Sequence, residues 1–363
     1  MRAWQLYGFG DMRLEELEDP RPGPGEALVR TRVVQPSVTE AMLAFGTETF
    51  GYETVRSALA DGPARLFGHE YCAEIVALGE GVEGLAAGDR VADVAALPCM
   101  ECALCLEGRS EDCRRGPHVG FEMPGCLSDV AVVPALGLVP VPDGVSDAQA
   151  ACLQPACDCV AGVDAARLEG GETVAVIGQG PMGGYTLQLA RAAGAGRVIA
   201  IDVRAESLAT ARELGADDCV DASDGDPVAA VLELTGGRGV DVAFESAGGA
   251  PSSGLGGHTT LDQAREMTRD TGRVVVLALL PGTPPFDMLA WRGRSIELLF
   301  PPLGSRSHLA RAAALAADGA LALDRYTSHS VDGLERVAEA FEITANKGRY
   351  GALGPCQVVV AGD

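Results

Sequence analysis

A glycine-rich loop between an apolar run and a helical pattern constrains the fold of this chain more than any other feature. Residues 174–177 read as a buried strand, residues 178–183 spell G-x-G-x-x-G, and residues 187–193 have helical spacing. Further apolar runs predict strands at 198–201, 240–245 and 273–279, with a helix near 260–268. Alternating strands and helices indicate an α/β fold with a doubly wound parallel sheet.

The glycines of this loop stand where a dinucleotide needs them. Gly178 permits the tight turn, Gly180 lets the backbone approach a pyrophosphate, and Gly183 lets the helix pack closely on the strand. Pro181 and Met182 complete the loop, and we expect all five residues to line the cofactor. The segment therefore predicts a dinucleotide-binding turn.

An acidic residue at the end of the next strand indicates which dinucleotide is used. Asp202 can accept hydrogen bonds from the ribose hydroxyls of the cofactor and would repel a 2′-phosphate. This favours NAD(H). Arg204, two residues further on, keeps NADP(H) as the alternative.

Four of the eleven cysteines lie close together in the pattern C-x2-C-x2-C-x7-C. They are Cys99, Cys102, Cys105 and Cys113. Four thiolates at such spacing can surround one Zn²⁺, and a site with no open position is structural. We therefore predict a structural zinc lobe at about 97–115, with the other cysteines as reduced thiols.

The length and the net charge of the chain limit its domain number, its location and its partners. A chain of 363 residues predicts two domains. It has no apolar run of 18 residues and its first residues lack a signal-peptide pattern, so we expect a cytoplasmic protein without a membrane partner. The net charge of −23 argues against nucleic acid as a partner, because phosphates would be repelled.

The order of these motifs resembles the medium-chain dehydrogenase/reductase family, in its zinc-containing alcohol and polyol dehydrogenase branch. The resemblance runs the length of the chain through residues 22–26, Gly68-His69-Glu70, residues 88–91, the cysteine lobe and residues 153–155. It implies a mainly β, GroES-like catalytic domain of residues 1–154 and 300–363, and a Rossmann domain of residues 155–299. It also implies a cleft active site and a homodimer or homotetramer joined near residues 296–300.

The catalytic site departs from the pattern of that branch. There a catalytic zinc is held by the Cys of C-G-T-D, by G-H-E, and by an acid or thiol in a segment like L-E-P. Here Ser37 and Gln154 stand at two of these positions, and Met42 stands at that of the proton-relay histidine. Hydroxyl and carboxamide oxygens are weaker zinc ligands than thiolate and carboxylate. We therefore expect a site without tightly bound catalytic zinc.

Several polar residues remain at this site to perform the chemistry. The resemblance places Thr39 to hydrogen-bond the substrate hydroxyl, and Asp158 beside the nicotinamide. Without zinc, an acid or base must move the hydroxyl proton. The candidates for that role are His69, Glu70, Glu40 and Asp158.

These residues leave three functions open. The first is NAD(H)-dependent interconversion of a secondary alcohol, such as a polyol, cyclitol or sugar-like intermediate, and its ketone. The second is reduction of a C=C bond conjugated to a carbonyl, which needs no Lewis acid. The third is a nucleotide-binding protein without catalysis. An unusually long segment at 45–67 either shapes a substrate pocket or caps the catalytic domain.

Overall fold

The computed structural model describes residues 1–248, 258–280 and 286–360, so most of the glycine-rich loop at 248–257 lies outside the described residues. The chain divides into two compact units. The first comprises Met1–Cys157, Gly304–Asp318 and Leu323–Asp363, and the second Asp158–Leu303 with Gly319–Ala322. The boundaries between the two units thus follow residues 157 and 303, whereas the sequence predicts them after residues 154 and 299. A helix over Leu153–Ala166 runs through the first of these points, so the sequence carries no turn signal there.

The elements of the described residues are numbered in chain order. The strands are β1 Arg2–Gly8, β2 Asp11–Glu16, β3 Glu26–Gln35, β4 Glu70–Leu78, β5 Arg90–Asp93, β6 Val130–Pro134, β7 Leu138–Pro140, β8 Thr173–Ile177, β9 Arg197–Asp202, β10 Asp218–Asp221, β11 Val240–Glu245, β12 Thr268–Val276, β13 Glu297–Leu299, β14 Ser330–Asp332 and β15 Gln357–Val359. The helices are α1 Val38–Ala44, α2 Tyr52–Ala60, α3 Ala103–Leu106, α4 Asp147–Ala150, α5 Leu153–Ala166, α6 Pro181–Ala192, α7 Ala205–Glu213, α8 Pro227–Leu234, α9 His258–Met267, α10 Met288–Gly293, α11 Arg306–Ala317, α12 Val337–Ala345 and α13 Lys347–Tyr350. Each helix in the described residues falls short of the length or the apolarity that a bilayer crossing requires.

The first unit is built on a mainly antiparallel sheet. Its strand order is β14-β15-β3-β4-β5-β7, and β6 also pairs with β3. Alternate residues of β3 and β4, such as Val29 and Ile75, are buried in one apolar core together with Phe341 of α12. The register pairs Gln35 at the end of β3 with Glu70 at the start of β4. This pairing brings the polar ends of two core strands together.

The second unit confirms the predicted doubly wound fold. Its six strands are all parallel, in the order β10-β9-β8-β11-β12-β13. The chain reverses direction of travel across the sheet between β8 and β11, where such folds bind their ligands. β12 begins at Thr268, earlier than predicted, because its first four residues are polar and carry no apolar signal.

The long segment at 45–67 folds largely as a cap. Its helix α2 buries Val55 in the core of the first unit, and Tyr52 stacks on Phe9 with ring centroids 4.9 Å apart. Phe45 and Phe50 stay half exposed. Burial of one helix face against the sheet therefore fixes this segment, and its other face lines a cavity treated below.

Candidate functional site

Helix α1 begins with a reciprocal cap formed by two of the predicted site residues. The Ser37 hydroxyl accepts a hydrogen bond from the Glu40 amide at 3.1 Å, and Glu40 Oε2 accepts one from the Ser37 amide at 3.0 Å. This is a capping box, and its S-x-x-E spacing can be read in the sequence. The hydroxyl that stands in place of a thiolate therefore stabilises the helix start.

The other oxygen of Glu40 holds the turn that carries His69. Glu40 Oε1 lies 2.6 Å from His69 Nδ1 and accepts hydrogen bonds from the amides of Gly68 at 2.7 Å and His69 at 3.3 Å. Gly68 has a φ of 82°, and a Cβ there would lie 2.8 Å from the Leu127 amide nitrogen. Because a carboxylate only accepts hydrogen bonds, Nδ1 carries the hydrogen and Nε2 becomes the proton acceptor.

Glu70 is held by a residue that the sequence analysis missed. Gln35 Nε2 donates to Glu70 Oε2 at 2.5 Å, and Gln35 Oε1 accepts from Gln357 Nε2 at 3.1 Å. Glu70 Oε1 lies 3.9 Å from His69 Nε2, which is beyond hydrogen-bond distance. The sequence signal for Gln35 is weak, since β3 carries other polar residues and Gln35 differs only in following Val33 and Val34 at the strand end.

The remaining predicted catalytic residues lie on α1 and α5. Thr39 is half-buried in the first turn of α1, with Met42 one turn later. Gln154 is buried at the start of α5 in the first unit. Asp158, on the same helix, belongs to the second unit and is half-buried. Their catalytic roles stay predictions.

A third buried acid, after Glu40 and Glu70, lies beside this cluster. Asp93, at the end of β5, accepts hydrogen bonds from the Tyr71 hydroxyl at 2.9 Å and from the Ala95 amide at 3.1 Å. Burial raises the pKa of Asp93 to about 6, an effect that these two donors and the charge of His69 only partly oppose. Asp93 therefore adds a titratable group to the surroundings of His69.

The donor set around His69 does not fit a tightly bound zinc. Glu40 uses both oxygens on amides and on His69, the Ser37 oxygen caps α1, and Gln35 holds one oxygen of Glu70. Within the described ranges, the single group of three or more His, Cys, Asp or Glu ligand atoms close enough to share an ion lies elsewhere. The ligand atoms of the described residues around His69 thus form no such group.

That single group is the predicted cysteine cluster. The ligand atoms of Cys99, Cys102, Cys105 and Cys113 all lie within 4.8 Å of one another, and three sulfur pairs are 3.6, 3.6 and 3.8 Å apart. Tetrahedral Zn–S bonds of about 2.3 Å place sulfurs about 3.8 Å apart. Amides of Cys99 and Arg115 donate to Cys113 and lower the pKa of its thiol. The cluster thus fits a four-thiolate zinc, and the protein's eleven cysteines are all free of disulfides.

The predicted dinucleotide loop has the shape that its glycines require. Gly178 has a φ of 87°, and a Cβ there would lie 2.5 Å from Ala247 Cα. A Cβ on Gly183 would lie 1.7 Å from the Gly178 oxygen, whereas one on Gly180 would meet open space. Pro181 and Met182 begin α6, with Gly180 as its N-cap. The open side of the loop therefore faces a helix N-terminus that can receive a pyrophosphate.

Two further features of this loop fit a dinucleotide. Asp202 Oδ2 accepts a hydrogen bond from the Gln179 amide at 2.6 Å, and Oδ1 accepts one from the Arg204 amide at 2.8 Å. The carboxylate is thus fixed against the loop at the end of β9. Gln179 Oε1 and Ser246 Oγ are buried without a hydrogen-bond partner among the described residues. Such atoms are costly unless a ligand or water satisfies them.

Comparison with known families agrees with both units. Residues 23–143 match the model of the alcohol dehydrogenase GroES-like domain, and residues 181–317 match that of the zinc-binding dehydrogenase. A solved zinc-binding dehydrogenase from Sinorhizobium meliloti 1021, bound to NADP, is 28% identical, with a TM-score of 0.84 over 99% of this chain and 98% of that one. The fold and the two-domain organisation are therefore those of one family.

Curated relatives extend the match along almost the whole sequence. An L-threonine 3-dehydrogenase from Pyrococcus horikoshii is 30% identical over 93% of this chain and 92% of its own. An erythritol/L-threitol dehydrogenase from Mycolicibacterium smegmatis is 30% identical over 94% and 95%. These matches confirm the predicted family and favour the enzymatic interpretation over a non-catalytic one. The chain belongs to the zinc-binding alcohol dehydrogenase family of medium-chain oxidoreductases.

Proposed function

We propose that this oxidoreductase interconverts a polyhydroxylated or similarly polar secondary alcohol and its ketone with NAD(H), and that it does so without tightly bound catalytic zinc. The observation that carries the proposal is the 2.6 Å contact between Glu40 and His69 Nδ1. A histidine oriented by a buried carboxylate is an arrangement for proton transfer. The same carboxylate is engaged by three backbone amides, so it orients the ring and is not a metal ligand.

In the oxidative direction, His69 Nε2 accepts the proton of the substrate hydroxyl as the C–H bond breaks. Bound NAD⁺ supplies the hydride acceptor. Glu40 stabilises the positive charge that forms on the ring, because an opposite charge in hydrogen-bond contact favours the imidazolium. Thr39 donates or accepts a hydrogen bond at the substrate oxygen and so fixes its orientation. In reduction, protonated His69 returns the proton to the forming alcohol.

The class of substrate is inferred from the polar remnants of the site. Thr39, Gln154 and Asp158 offer hydrogen-bonding groups in place of an apolar pocket wall. The relatives named above carry the names of an amino acid with a hydroxyl group and of two tetritols. Both kinds of molecule are secondary alcohols with neighbouring polar groups. We infer a substrate of this kind for the present chain.

The cofactor and the metal follow from the two other sites. Asp202 at the end of β9 favours NAD(H), although the Sinorhizobium meliloti protein is bound to NADP. The cluster of Cys99, Cys102, Cys105 and Cys113 holds one structural zinc. Eleven free thiols suit a reducing compartment such as the cytoplasm. A homodimer or homotetramer, joined near β13, is proposed as the assembly.

Metal content and chelation test the zinc-independent mechanism. Elemental analysis is expected to find about one zinc per chain, and Cys102→Ser is expected to lose it and destabilise the protein. Mild chelation, under conditions that leave that one zinc bound, is expected to leave turnover of a vicinal diol or hydroxy amino acid intact. Loss of activity on chelation with recovery on added Zn²⁺, or two tightly held zincs per chain, would contradict the proposal.

A further inference from the structure

A cavity of about 670 Å³ lies in the first unit, on the side of α2 that does not face the core. Its walls come from α2 and from the turn at residues 121–124. Thr54 supplies a hydroxyl, while Ala58, Leu66, Phe121 and Met123 supply apolar surface. Half of the lining residues are polar or charged, so the cavity combines an apolar wall with hydrogen-bonding groups, as small-molecule sites do. The dehydrogenase chemistry proposed above uses none of these residues.

Arg65 is the cationic group of this cavity. Its backbone is fixed because the neighbouring Ala64 exchanges two 2.9 Å hydrogen bonds with Leu6. The side chain is half-buried, and Nη2 is buried without a hydrogen-bond partner among the described residues. Burial lowers the pKa of Arg65, because the guanidinium loses part of its hydration. An arginine remains charged even so, which leaves a half-buried positive charge with one nitrogen that has no hydrogen-bond partner among the described residues.

The acidic residues at the rim of the cavity limit which anion can enter. Glu53 pairs with Arg56, and Glu122 accepts a 2.9 Å hydrogen bond from the His118 amide. Asp61 caps the end of α2. Three carboxylates around one guanidinium repel a multiply charged anion such as phosphate at long range. They repel a singly charged anion less, and the apolar wall favours one with a short hydrocarbon part.

We propose that this cavity binds a small organic carboxylate of single negative charge, held by the guanidinium of Arg65. The carboxylate would pair with the guanidinium of Arg65 where that group lines the cavity, and its alkyl part would contact Ala58, Leu66 and Phe121. Charge-assisted pairs of this kind are the strong hydrogen bonds of proteins. The inference concerns binding alone and does not rest on the proposed function.

The cavity is separate from the His69 site but shares a wall with it. The Phe121 ring lines the cavity, and its centroid lies 5.4 Å from that of the His69 ring. A ligand in the cavity therefore contacts the ring that packs on His69.

Calorimetric titration with butyrate, on the zinc-loaded protein without nicotinamide cofactor, tests the assignment. We expect butyrate to bind the unaltered chain, and Arg65→Gln to weaken binding about tenfold or more, the value of one lost charge-assisted hydrogen bond. Arg65→Lys should retain part of the affinity. Arg336→Gln is the matched control: this exposed arginine is paired with Glu339 outside the cavity lining, and its loss should leave butyrate affinity unchanged.

A second variant locates the bound molecule and guards against misfolding of the Arg65 variants. Ala58→Phe fills the cavity from α2 while keeping Arg65, and it should abolish butyrate binding. Inorganic phosphate should bind the unaltered chain more weakly than butyrate. The proposal is overturned if butyrate fails to bind at millimolar concentration, if Arg65→Gln or Ala58→Phe binds it as well as the unaltered chain, or if phosphate binds as tightly.

Discussion

Glu40 performs two tasks with its two carboxylate oxygens. One oxygen caps α1 through the Ser37 amide, and the other orients His69 and holds the turn before β4. Gln35 and Gln357 extend the same polar network to Glu70. Each side chain is thereby kept in one orientation, which is a requirement for proton transfer at a fixed atom.

Substitutions of His69 and of Glu40 test separately the two roles proposed for these residues, proton transfer and positioning. His69→Ala is expected to lower kcat by roughly 10² to 10⁴, the usual contribution of general acid–base catalysis. Glu40→Gln should lower kcat less, with partial recovery in Glu40→Asp. It should also move the acidic limb of the kcat/KM profile for alcohol oxidation to lower pH, because the imidazolium loses its partner.

Steady-state kinetics across pH measure these effects. Glu26→Gln is a matched control, since Glu26 also accepts a backbone hydrogen bond, from the Gly23 amide, but lies outside the His69 cluster. Unchanged kcat and an unchanged pH profile in Glu40→Gln would show that Glu40 has no part in positioning His69.

At the scale of elements, the end of β9 and the glycine loop are the proposed cofactor-recognition site. Asp202 is fixed by two backbone amides, one from the loop and one from Arg204. We expect NADH to bind more tightly than NADPH, because the fixed carboxylate accepts ribose hydroxyls and repels a 2′-phosphate. Asp202→Ala should narrow the difference between the two affinities. Fluorescence titration measures both, and equal affinities in the unaltered protein would contradict the assignment.

Elements that pack on a core could be predicted from the sequence, whereas polar contacts between elements could not. The strands of the second unit follow from their apolar runs, and β11 was predicted to the residue at Val240–Glu245. Helix α2 was not predicted as a helix, because its apolar face is narrow and buries only Val55 among its nine residues. The contact of Gln35 with Glu70 depends on strand register, which pairs residues distant in the chain.

The cap at Ser37 shows a different limit of sequence reasoning. Its S-x-x-E spacing is typical of a capping box, but the family resemblance indicates only that a metal ligand is replaced at Ser37. The structure adds the local reason for the residue, which is satisfaction of the Glu40 amide at the start of α1. The altered zinc site thus stays a prediction from the sequence, and the capping role of the Ser37 hydroxyl was missed.

At the scale of the whole molecule, the edge of the second sheet is the proposed assembly surface. β13 pairs with β12 alone among the described strands, and Leu289 and Phe300 nearby are 78% and 71% exposed. An unpaired strand edge with apolar neighbours is a template for pairing with another chain. We expect a dimer in solution, which Phe300→Lys should convert largely to monomer in light scattering.

A control substitution on the cysteine lobe shows whether loss of any exposed apolar side chain, and not only one near β13, disrupts the dimer. Leu106 is 76% exposed, and Leu106→Lys should leave the dimer intact. A monomeric unaltered protein, or a dimer unaffected by Phe300→Lys, would exclude the β13 edge as the interface.

The capping role of Ser37 also determines what its replacement by a metal-binding residue would cost in stability. A single substitution, Ser37→Cys, would restore a thiolate beside His69, yet a thiol is a weak hydrogen-bond acceptor and would forfeit most of the helix cap, at a cost of about 1 kcal/mol. Without Gln154→Glu, Ser37→Cys would add only one metal ligand, and the protein would lose stability before it gained metal affinity. The Ser37 hydroxyl therefore couples any change toward metal binding at this position to the stability of helix α1.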